Sequence, residues 1–303
     1  MLLAKAAVAR APLQAYFAAN PTDTSMQRIA FIGGGNMARS LIGGLLRSGA
    51  PAAALAVGEP NPELAANLAR EFGIRASADN AAAVRGASTW VLSVKPQVMK
   101  DVCASLASIA QEQRPLLVSI AAGIRVDQID AWLGGGLAIV RGMPNTPALI
   151  GAGATGLFAN TRADAGQRER AEKILRGDGI TAWIADEALM DTVTAISGSG
   201  PAYFFLLVEA LEDAAVEQGM PRATARALAA QTCLGAGRML TEDGAAPAQL
   251  RERVTSPNGT TQAALTSFAA SGLHAIVARA VAAATQRGRE LSADLDERNT
   301  PQP

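Results

Sequence analysis

The pattern of apolar and polar positions changes once along the chain, near Asp186. Before that point, short apolar runs alternate with Ala-rich stretches of helical period, which is typical of a parallel sheet covered by helices on both faces. The predicted strands are Arg28–Ile32, Ala54–Val57, Ser88–Val94, Leu116–Ile120, Ala138–Arg141 and Thr181–Ile184. We therefore predict an α/β domain with a doubly wound parallel sheet over residues 26–186.

After Asp186 the apolar positions follow helical spacing only. Phe204, Leu207, Val208 and Leu211 lie on one helical stripe. The pattern predicts an all-helical domain over residues 187–291. Its helices are apolar over more of their circumference than a small bundle can bury, so we expect part of this surface to contact another subunit.

Both ends of the chain differ in composition from these two domains. Residues 1–25 are Ala-rich, and polar residues interrupt any signal-peptide core, so we predict a dispensable, poorly ordered extension. Residues 292–303 are charged and contain two prolines, which predicts a solvated tail. We find no uncharged apolar stretch of about 18 residues that could span a bilayer, and we expect no membrane association.

Charge and composition exclude several kinds of chemistry. Lys plus Arg and Asp plus Glu both number 27, so no long-range field favours nucleic acid or anionic lipid as a partner. The single His excludes an HExxH zinc site, and Cys103 and Cys233 lie too far apart in sequence to form a CxxC pair, so we predict no metal. The two distant cysteines suggest no disulfide framework, which favours the cytoplasm. Catalysis must use a cofactor, backbone amides, hydroxyls, Lys or carboxylates.

The segment Ile29–Ala38, IAFIGGGNMA, carries a G-x-G-x-x-A pattern between a strand and a helix. Gly33 permits the tight turn, Gly35 leaves room for a pyrophosphate, and Ala38 allows close helix packing. Glu59 follows at the end of the second strand, as in Rossmann-type dinucleotide-binding domains. The alternative is a tight strand-to-helix turn without a ligand.

Glu59 bears on the choice between NADH and NADPH. A carboxylate there accepts hydrogen bonds from a ribose 2′-hydroxyl and repels a 2′-phosphate, which favours NADH. However, Pro60 could turn the carboxylate away, and a solvent-facing glutamate is the alternative interpretation. The sequence predicts NADPH or NADH as the cofactor.

Three later strands also end in residues suited to a ligand crevice, because the carboxyl ends of parallel strands line it. The run Trp90–Pro96 ends in Lys95 and Pro96, and Ser119–Gly123 consists of small residues. Met143–Ala148, with two prolines, forms a rigid loop that could present the Asn145 amide.

Two motifs lie in the helical half. Ser197–Tyr203, SGSGPAY, predicts a serine N-cap with Pro201 just inside a long apolar helix. Val254–Thr261, VTSPNGTT, is a hydroxyl-rich loop that enters a helix, and its free N–H groups and hydroxyls suit a small carboxylate. By spacing alone, an ordinary helix cap is the simpler interpretation.

In this order, FIGGGNMA, VKP, MPNTPA, GSGPAY and VTSPNGTT resemble the motifs of pyrroline-5-carboxylate reductase, over residues 26–291. The resemblance implies a Rossmann domain, a helical C-terminal domain that interlocks with its twin in a homodimer, and in many members a ring of dimers. It also implies hydride transfer from NAD(P)H to the C=N carbon of 1-pyrroline-5-carboxylate, which gives L-proline.

The resemblance also assigns residues. The residues implied to bind the cofactor are Gly33, Gly34, Gly35, Asn36, Met37, Glu59, Asn61, Asn80, Val94, Lys95, Pro96, Ala122 and Asn145. The implied substrate loop comprises Ser256, Gly259, Thr260 and Thr261, with Thr261 as the catalytic residue beside the imine nitrogen. Asn258 stands where the family commonly has glycine, so that turn must tolerate a side chain.

Three other functions are compatible with this organisation. A β-hydroxyacid dehydrogenase shares it but needs a Lys or similar acid on the helical domain, and residues 222–253 contain no Lys. A reductase of six-membered imines would share most motifs. A non-catalytic dinucleotide sensor would use the helical half to bind a partner.

Overall fold

The computed structural model describes residues 28–177 and 179–297, with side chains through residue 293. The predicted extension over residues 1–25 lies outside the described residues. The chain forms two compact units: one contains the residues up to Gly198 together with those from Arg287 onward, and the other is Ser199–Gln286. The domain limits predicted above, 26–186 and 187–291, stay a prediction.

The first unit is built on one eight-stranded sheet in the order β3-β2-β1-β4-β5-β6-β7-β8. The strands are β1 Ile29–Ile32, β2 Leu55–Gly58, β3 Arg75–Ser77, β4 Thr89–Leu92, β5 Leu116–Ser119, β6 Ala138–Met143, β7 Ala154–Ala159 and β8 Ile180–Trp183. Strands β1 to β6 are mutually parallel, which confirms the predicted α/β class.

Strand β7 departs from the prediction of an all-parallel sheet. It runs antiparallel to β6, and β8 is parallel to β7. Only a short 3₁₀ segment, Thr146–Ile150, lies between β6 and β7. A parallel crossover needs a dozen or more residues, so this connection allows only an antiparallel return.

Helices cover both faces of the sheet, as the doubly wound pattern predicts. They are α1 Asn36–Arg47, α2 Pro62–Phe72, α3 Asn80–Val84, α4 Pro96–Gln113, α5 Val126–Trp132, α6 Ala165–Arg176 and α7 Met190–Val193. Alternate residues of β1 point to opposite faces of the sheet and belong to two separate hydrophobic clusters. Ile29 and Phe31 pack in the cluster that contains residues of α1 and α6. Ala30 and Ile32 pack in the cluster that contains residues of α4 and α5.

The described second unit is all-helical, as predicted. Its helices are α8 Gly200–Glu217, α9 Arg222–Glu242, α10 Pro247–Arg253, α11 Thr260–Ala270 and α12 Leu273–Glu297, the last of which continues into the first unit. Large apolar side chains of α8 are exposed within one copy, with Phe205 at 68% and Leu206 at 65%.

The passage between the two units corrects two expectations. Helical structure continues from Glu187 to Glu217 through a π-helical turn at Thr194–Gly198, and this run is long and apolar enough, by length and composition, to cross a membrane. The expectation that no such stretch exists was wrong, because the helix continues through residues that read as a loop. The serine cap was confirmed in position only: Ser199 is the N-cap residue of α8 and Pro201 lies in the first turn, but Ser199 has helical dihedral angles and its side chain makes no capping hydrogen bond.

The beginning of the predicted tail is also ordered structure. Helix α12 continues to Glu297, and Ser292 is buried. A Cβ atom on Gly123 would lie 3.6 Å from the Ser292 hydroxyl, so this part of the helix packs against the turn after β5. The prediction of a solvated tail was therefore wrong for its first residues; residues 298–303 lie outside the described part.

Candidate active site

The glycine-rich turn between β1 and α1 has the geometry that the fingerprint predicts. Gly33 has a φ of +97°, and a Cβ atom there would lie 2.9 Å from the carbonyl oxygen of Ser93. No atom lies within 4 Å of the position that a Cβ of Gly35 would take. Asn36 is exposed, Met37 is half-buried, and no side chain caps the first turn of α1. The N–H groups of Gly33 and Gly34 donate to the Gly58 carbonyl oxygen and to Glu59 Oε2. The turn thus presents open space at Gly35 and the uncapped N–H groups at the start of α1, as a phosphate site requires.

Glu59 is held against this turn. Its Oε2 atom accepts a hydrogen bond from the Gly34 N–H at 2.8 Å, and its Oε1 atom accepts one from the Asn61 N–H at 2.9 Å. A Cβ on Gly34 would lie 3.3 Å from Glu59 Oε2. The Asn61 side chain caps α2 by accepting from the N–H groups of Glu63 and Leu64. The carboxylate is therefore fixed at the end of β2, and Pro60 does not turn it away.

Asn80 provides an observation that tests whether a dinucleotide fits. Its Oδ1 atom is buried without a hydrogen-bond partner, next to Gly58 at the end of β2. An unsatisfied buried acceptor costs about 1–3 kcal/mol. A ligand hydroxyl at this position would satisfy it, so the side chain fits a bound ribose.

Most of the remaining residues predicted to bind the cofactor lie at the ends of neighbouring strands. Val94, Lys95 and Pro96 follow β4, with Lys95 exposed at the start of α4. Ala122 is exposed in the turn after β5. Because β2, β1, β4 and β5 are parallel neighbours, their carboxyl ends share one edge of the sheet with the glycine-rich turn. The structure brings these predicted residues together.

Asn145 is placed differently from this group. Its Nδ2 atom donates to the carbonyl oxygen of Ser197 at 3.0 Å, and its Oδ1 atom accepts from the Ala154 N–H at 2.9 Å. The residue is only 8% exposed. Both ends of its carboxamide are thus used within the protein.

The hydroxyl-rich loop lies in the second unit, between α10 and α11. Asn258 has a φ of 59°, in the left-handed region that favours glycine, so this turn does accept a side chain. Gly259 precedes the first helical residue, Thr260, without a side-chain cap. Among the described residues, the hydroxyls of Ser256, Thr260 and Thr261 make no hydrogen bond. This loop offers three free hydroxyls and the N–H groups of a helix start.

Sequence reasoning missed two groups of ionic contacts. Glu187 accepts hydrogen bonds from Arg141 at 3.0 Å and from the Val126 N–H at 2.9 Å; an arginine within an apolar strand was the available signal. In the second unit, Glu212 accepts from Arg226 and Arg222. Hydrogen bonds from Arg226 first, and then Arg222, lower the pKa of Glu212 to about 2.

Neither a metal site nor a nucleophilic cysteine is supported in the part of the chain that the structure describes. No group of three or more His, Cys, Asp and Glu is arranged there to hold a metal ion. Burial raises the pKa of the Cys103 thiol to about 12, so this cysteine is not a nucleophile.

Two family models match the chain. Residues 28–123 match the family described as NADP oxidoreductase, coenzyme F420-dependent, and residues 187–291 match pyrroline-5-carboxylate reductase dimerisation. The second match contains the exposed apolar residues of α8. The match to a dimerisation family supports a homo-oligomer.

Curated relatives and solved structures agree with these matches. The chain is 52% identical over 271 residues to pyrroline-5-carboxylate reductase of Pseudomonas aeruginosa, covering 89% of this chain and 99% of that protein. The Coxiella burnetii pyrroline-5-carboxylate reductase structure is 41% identical, with a TM-score of 0.85, covering 88% and 99% of the two chains. The Plasmodium falciparum pyrroline carboxylate reductase, solved with NADP bound, is 28% identical with a TM-score of 0.76, covering 88% and 98%. Our chain therefore belongs to the pyrroline-5-carboxylate reductase family, oxidoreductases that act on CH–NH donors.

Proposed function

We propose that this protein reduces 1-pyrroline-5-carboxylate to L-proline with NADPH or NADH, the last step of proline biosynthesis. The observation that carries the proposal is the set of unpartnered hydroxyls on Ser256, Thr260 and Thr261 at the start of α11. In a chain with one His and no metal cluster among its described residues, these groups offer the polar chemistry that a small carboxylate with a ring nitrogen requires.

The loop binds the substrate carboxylate. Free N–H groups at a helix start, with the positive end of the helix dipole, favour an anion. Ser256 and Thr260 donate further hydrogen bonds, and Gly259 lets the backbone approach closely. Thr261 hydrogen-bonds the ring nitrogen and holds its proton, so that the nitrogen enters the reaction protonated and leaves as the amine of proline.

Residues of the first unit hold the dinucleotide. The N–H groups of Gly35, Asn36 and Met37 at the start of α1 bind the pyrophosphate, with Gly33 and Gly34 shaping the turn. Glu59 and Asn80 flank the adenosine ribose beside Asn61. Val94, Lys95, Pro96 and Ala122 line the path to the ring. When bound, the reduced nicotinamide supplies a hydride to the C=N carbon.

Few catalytic residues suffice for this reaction. A protonated imine is already a strong electrophile, so the protein must mainly align two rings and fix one carboxylate. A dehydrogenase acting on a hydroxyacid needs an acid for the alkoxide, and the absence of Lys from residues 222–253 favours the imine reductase.

One assay tests the activity and separates the alternatives. Oxidation of NADPH and NADH is followed with pyrroline-5-carboxylate, with a six-membered cyclic imine acid, with a 2-keto acid and without acceptor. We expect oxidation with the five-membered imine at the highest kcat/KM. A higher value with the six-membered imine or the keto acid would assign the corresponding reductase or dehydrogenase, and no oxidation with any acceptor would favour the sensor.

We infer a homodimer formed through the helical unit, a ring of dimers, and a cytoplasmic location with the cysteines reduced. The apolar run from Glu187 to Glu217 lies within the dimerisation match, so we attribute its exposed side chains to the dimer rather than to a membrane. Light scattering of the purified protein gives the number of subunits, and fractionation of cells gives the location.

A further inference from the structure

The carbonyl oxygen of Ser197 is left without its ordinary helical partner. In an α-helix, this oxygen would accept from the N–H four residues later, but position 201 is proline and has none. The next N–H, that of Ala202, donates to Ser199 instead. A π-helical turn therefore ends, at the boundary of the first unit, with an acceptor that the helix does not use.

Asn145 supplies the missing donor from a distant part of the chain. Its Nδ2 atom lies 3.0 Å from the Ser197 oxygen, while its Oδ1 atom accepts from the Ala154 N–H. One buried carboxamide thus joins the loop after β6, the start of β7 and the π-helical turn. It connects two sequence motifs, MPNTPA and SGSGP, to which the sequence assigned separate roles.

Close packing around this contact leaves little freedom. A Cβ atom on Gly198 would lie 2.8 Å from Met143 Cε. One on Gly156 would lie 2.5 Å from Val193 Cγ1, so α7 lies directly on β7. These close contacts hold the π-helical turn in one position against the loop after β6. The hydrogen bonds of Asn145 fix which residue of the turn, Ser197, lies opposite this loop.

We infer that Asn145 is a positioning residue for the reduction, not a ligand of the dinucleotide. It holds the π-helical turn against the loop that follows β6. Strand β6 lies beside β5, which ends at Ser119 and is followed by the turn that contains Ala122. The expected effect on turnover rests on the proposed function, whereas the contact itself does not. Losing the contact misplaces the reacting groups without touching the turn that binds the pyrophosphate. A displacement of about 1 Å can lower a rate about 100-fold.

The first experiment separates positioning from binding. In Asn145→Ala we expect kcat to fall at least tenfold while the Kd of NADPH, measured by fluorescence without substrate, stays within twofold. Asn145→Ser, whose hydroxyl is too short to span both partners, serves if the alanine variant does not fold. A Kd that rises in step with the loss of kcat, or an unchanged kcat, would overturn the inference.

The second experiment uses the proline. Pro201→Ala places an N–H where it can bond to the Ser197 carbonyl in the ordinary helical pattern. We expect Pro201→Ala alone to stay within twofold of wild type, and the double variant with Asn145→Ala to recover at least threefold in kcat over Asn145→Ala. Absence of recovery would mean that the Ser197 contact is not what Asn145 contributes.

Amide hydrogen exchange tests the Asn145 contact without relying on enzyme activity. In Asn145→Ala, amides in residues 194–200 and the Ala154 amide should exchange faster, and Pro201→Ala should restore protection only in the helical segment. If wild type does not reduce the imine but this exchange pattern appears, the proposed function fails and the contact stands. Unchanged exchange in both segments would contradict the contact itself.

Discussion

The Oε2 atom of Glu59 accepts a hydrogen bond from the backbone N–H of Gly34 at 2.8 Å, which joins the end of β2 to the glycine-rich turn. A second bond, from the Asn61 N–H, fixes the other carboxylate oxygen. The residue is only 9% exposed, and with both oxygens hydrogen-bonded the carboxylate is held in one orientation. In a dinucleotide-binding fold, this position lies beside the adenosine ribose.

Replacing Glu59 with Ser should shift the cofactor preference toward NADPH. The carboxylate repels a 2′-phosphate and accepts from a 2′-hydroxyl, so its loss favours the phosphorylated dinucleotide on both counts. We expect the NADPH to NADH ratio of kcat/KM to rise about tenfold, equivalent to about 1.4 kcal/mol. Glu63→Ser, an exposed glutamate in the first turn of α2, is the matched control. A ratio that does not change would remove Glu59 as the discriminator.

Replacing Thr261 with Ala should impair the chemical step. A hydrogen bond to a charged group contributes about 1.5 to 3 kcal/mol, which corresponds to a fall in kcat/KM of about 10- to 150-fold. Thr261→Ser keeps the hydroxyl and should retain most of the activity. Thr266→Ala, in the same helix, removes a hydroxyl that bonds the Gln262 carbonyl and should change kcat/KM little. Wild-type turnover in Thr261→Ala would exclude this residue from the mechanism.

The sequence allowed correct prediction of features that depend on nearby residues. The turn at Gly33 is an example, because the strand, the glycines and the helix start are contiguous. Strand β7 escaped prediction, since Gly156 interrupts its apolar run and the glycine there reflects contact with Val193, far along the chain. The role of Asn145 could not be predicted either, because its partner is 52 residues away and is available only because Pro201 lacks an N–H.

The ion pairs in the helical unit should make stability depend on acid pH. Arg226 and Arg222 lower the pKa of Glu212 from about 4.5 to about 2, so the folded protein keeps this carboxylate charged where the unfolded chain is protonated. The stabilisation is therefore complete above about pH 4.5 and is lost as the pH falls toward 2. Melting temperatures between pH 7 and pH 2 should fall less steeply for Glu212→Gln than for wild type.

The control for this pH dependence is Glu217→Gln, at an exposed position of the same helix. It should follow the wild-type acid curve, because no arginine contact is removed. If Glu212→Gln also follows the wild-type curve between pH 4.5 and 2, the contacts of Arg222 and Arg226 do not stabilise the folded protein.

The apolar face of α8 should control assembly. Phe205 and Leu206 are mostly exposed within one copy, and burying such a side chain contributes about 1.5–3 kcal/mol, which a symmetric dimer gains twice. Leu206→Glu should therefore give monomers in light scattering at micromolar concentration and lower the melting temperature. Gln218→Glu adds the same charge at an exposed polar position and should leave the oligomer intact. An unchanged oligomer in Leu206→Glu, with wild-type protein recovered in the membrane fraction, would reassign the run from Glu187 to Glu217 to a bilayer, because its length and composition allow that alternative.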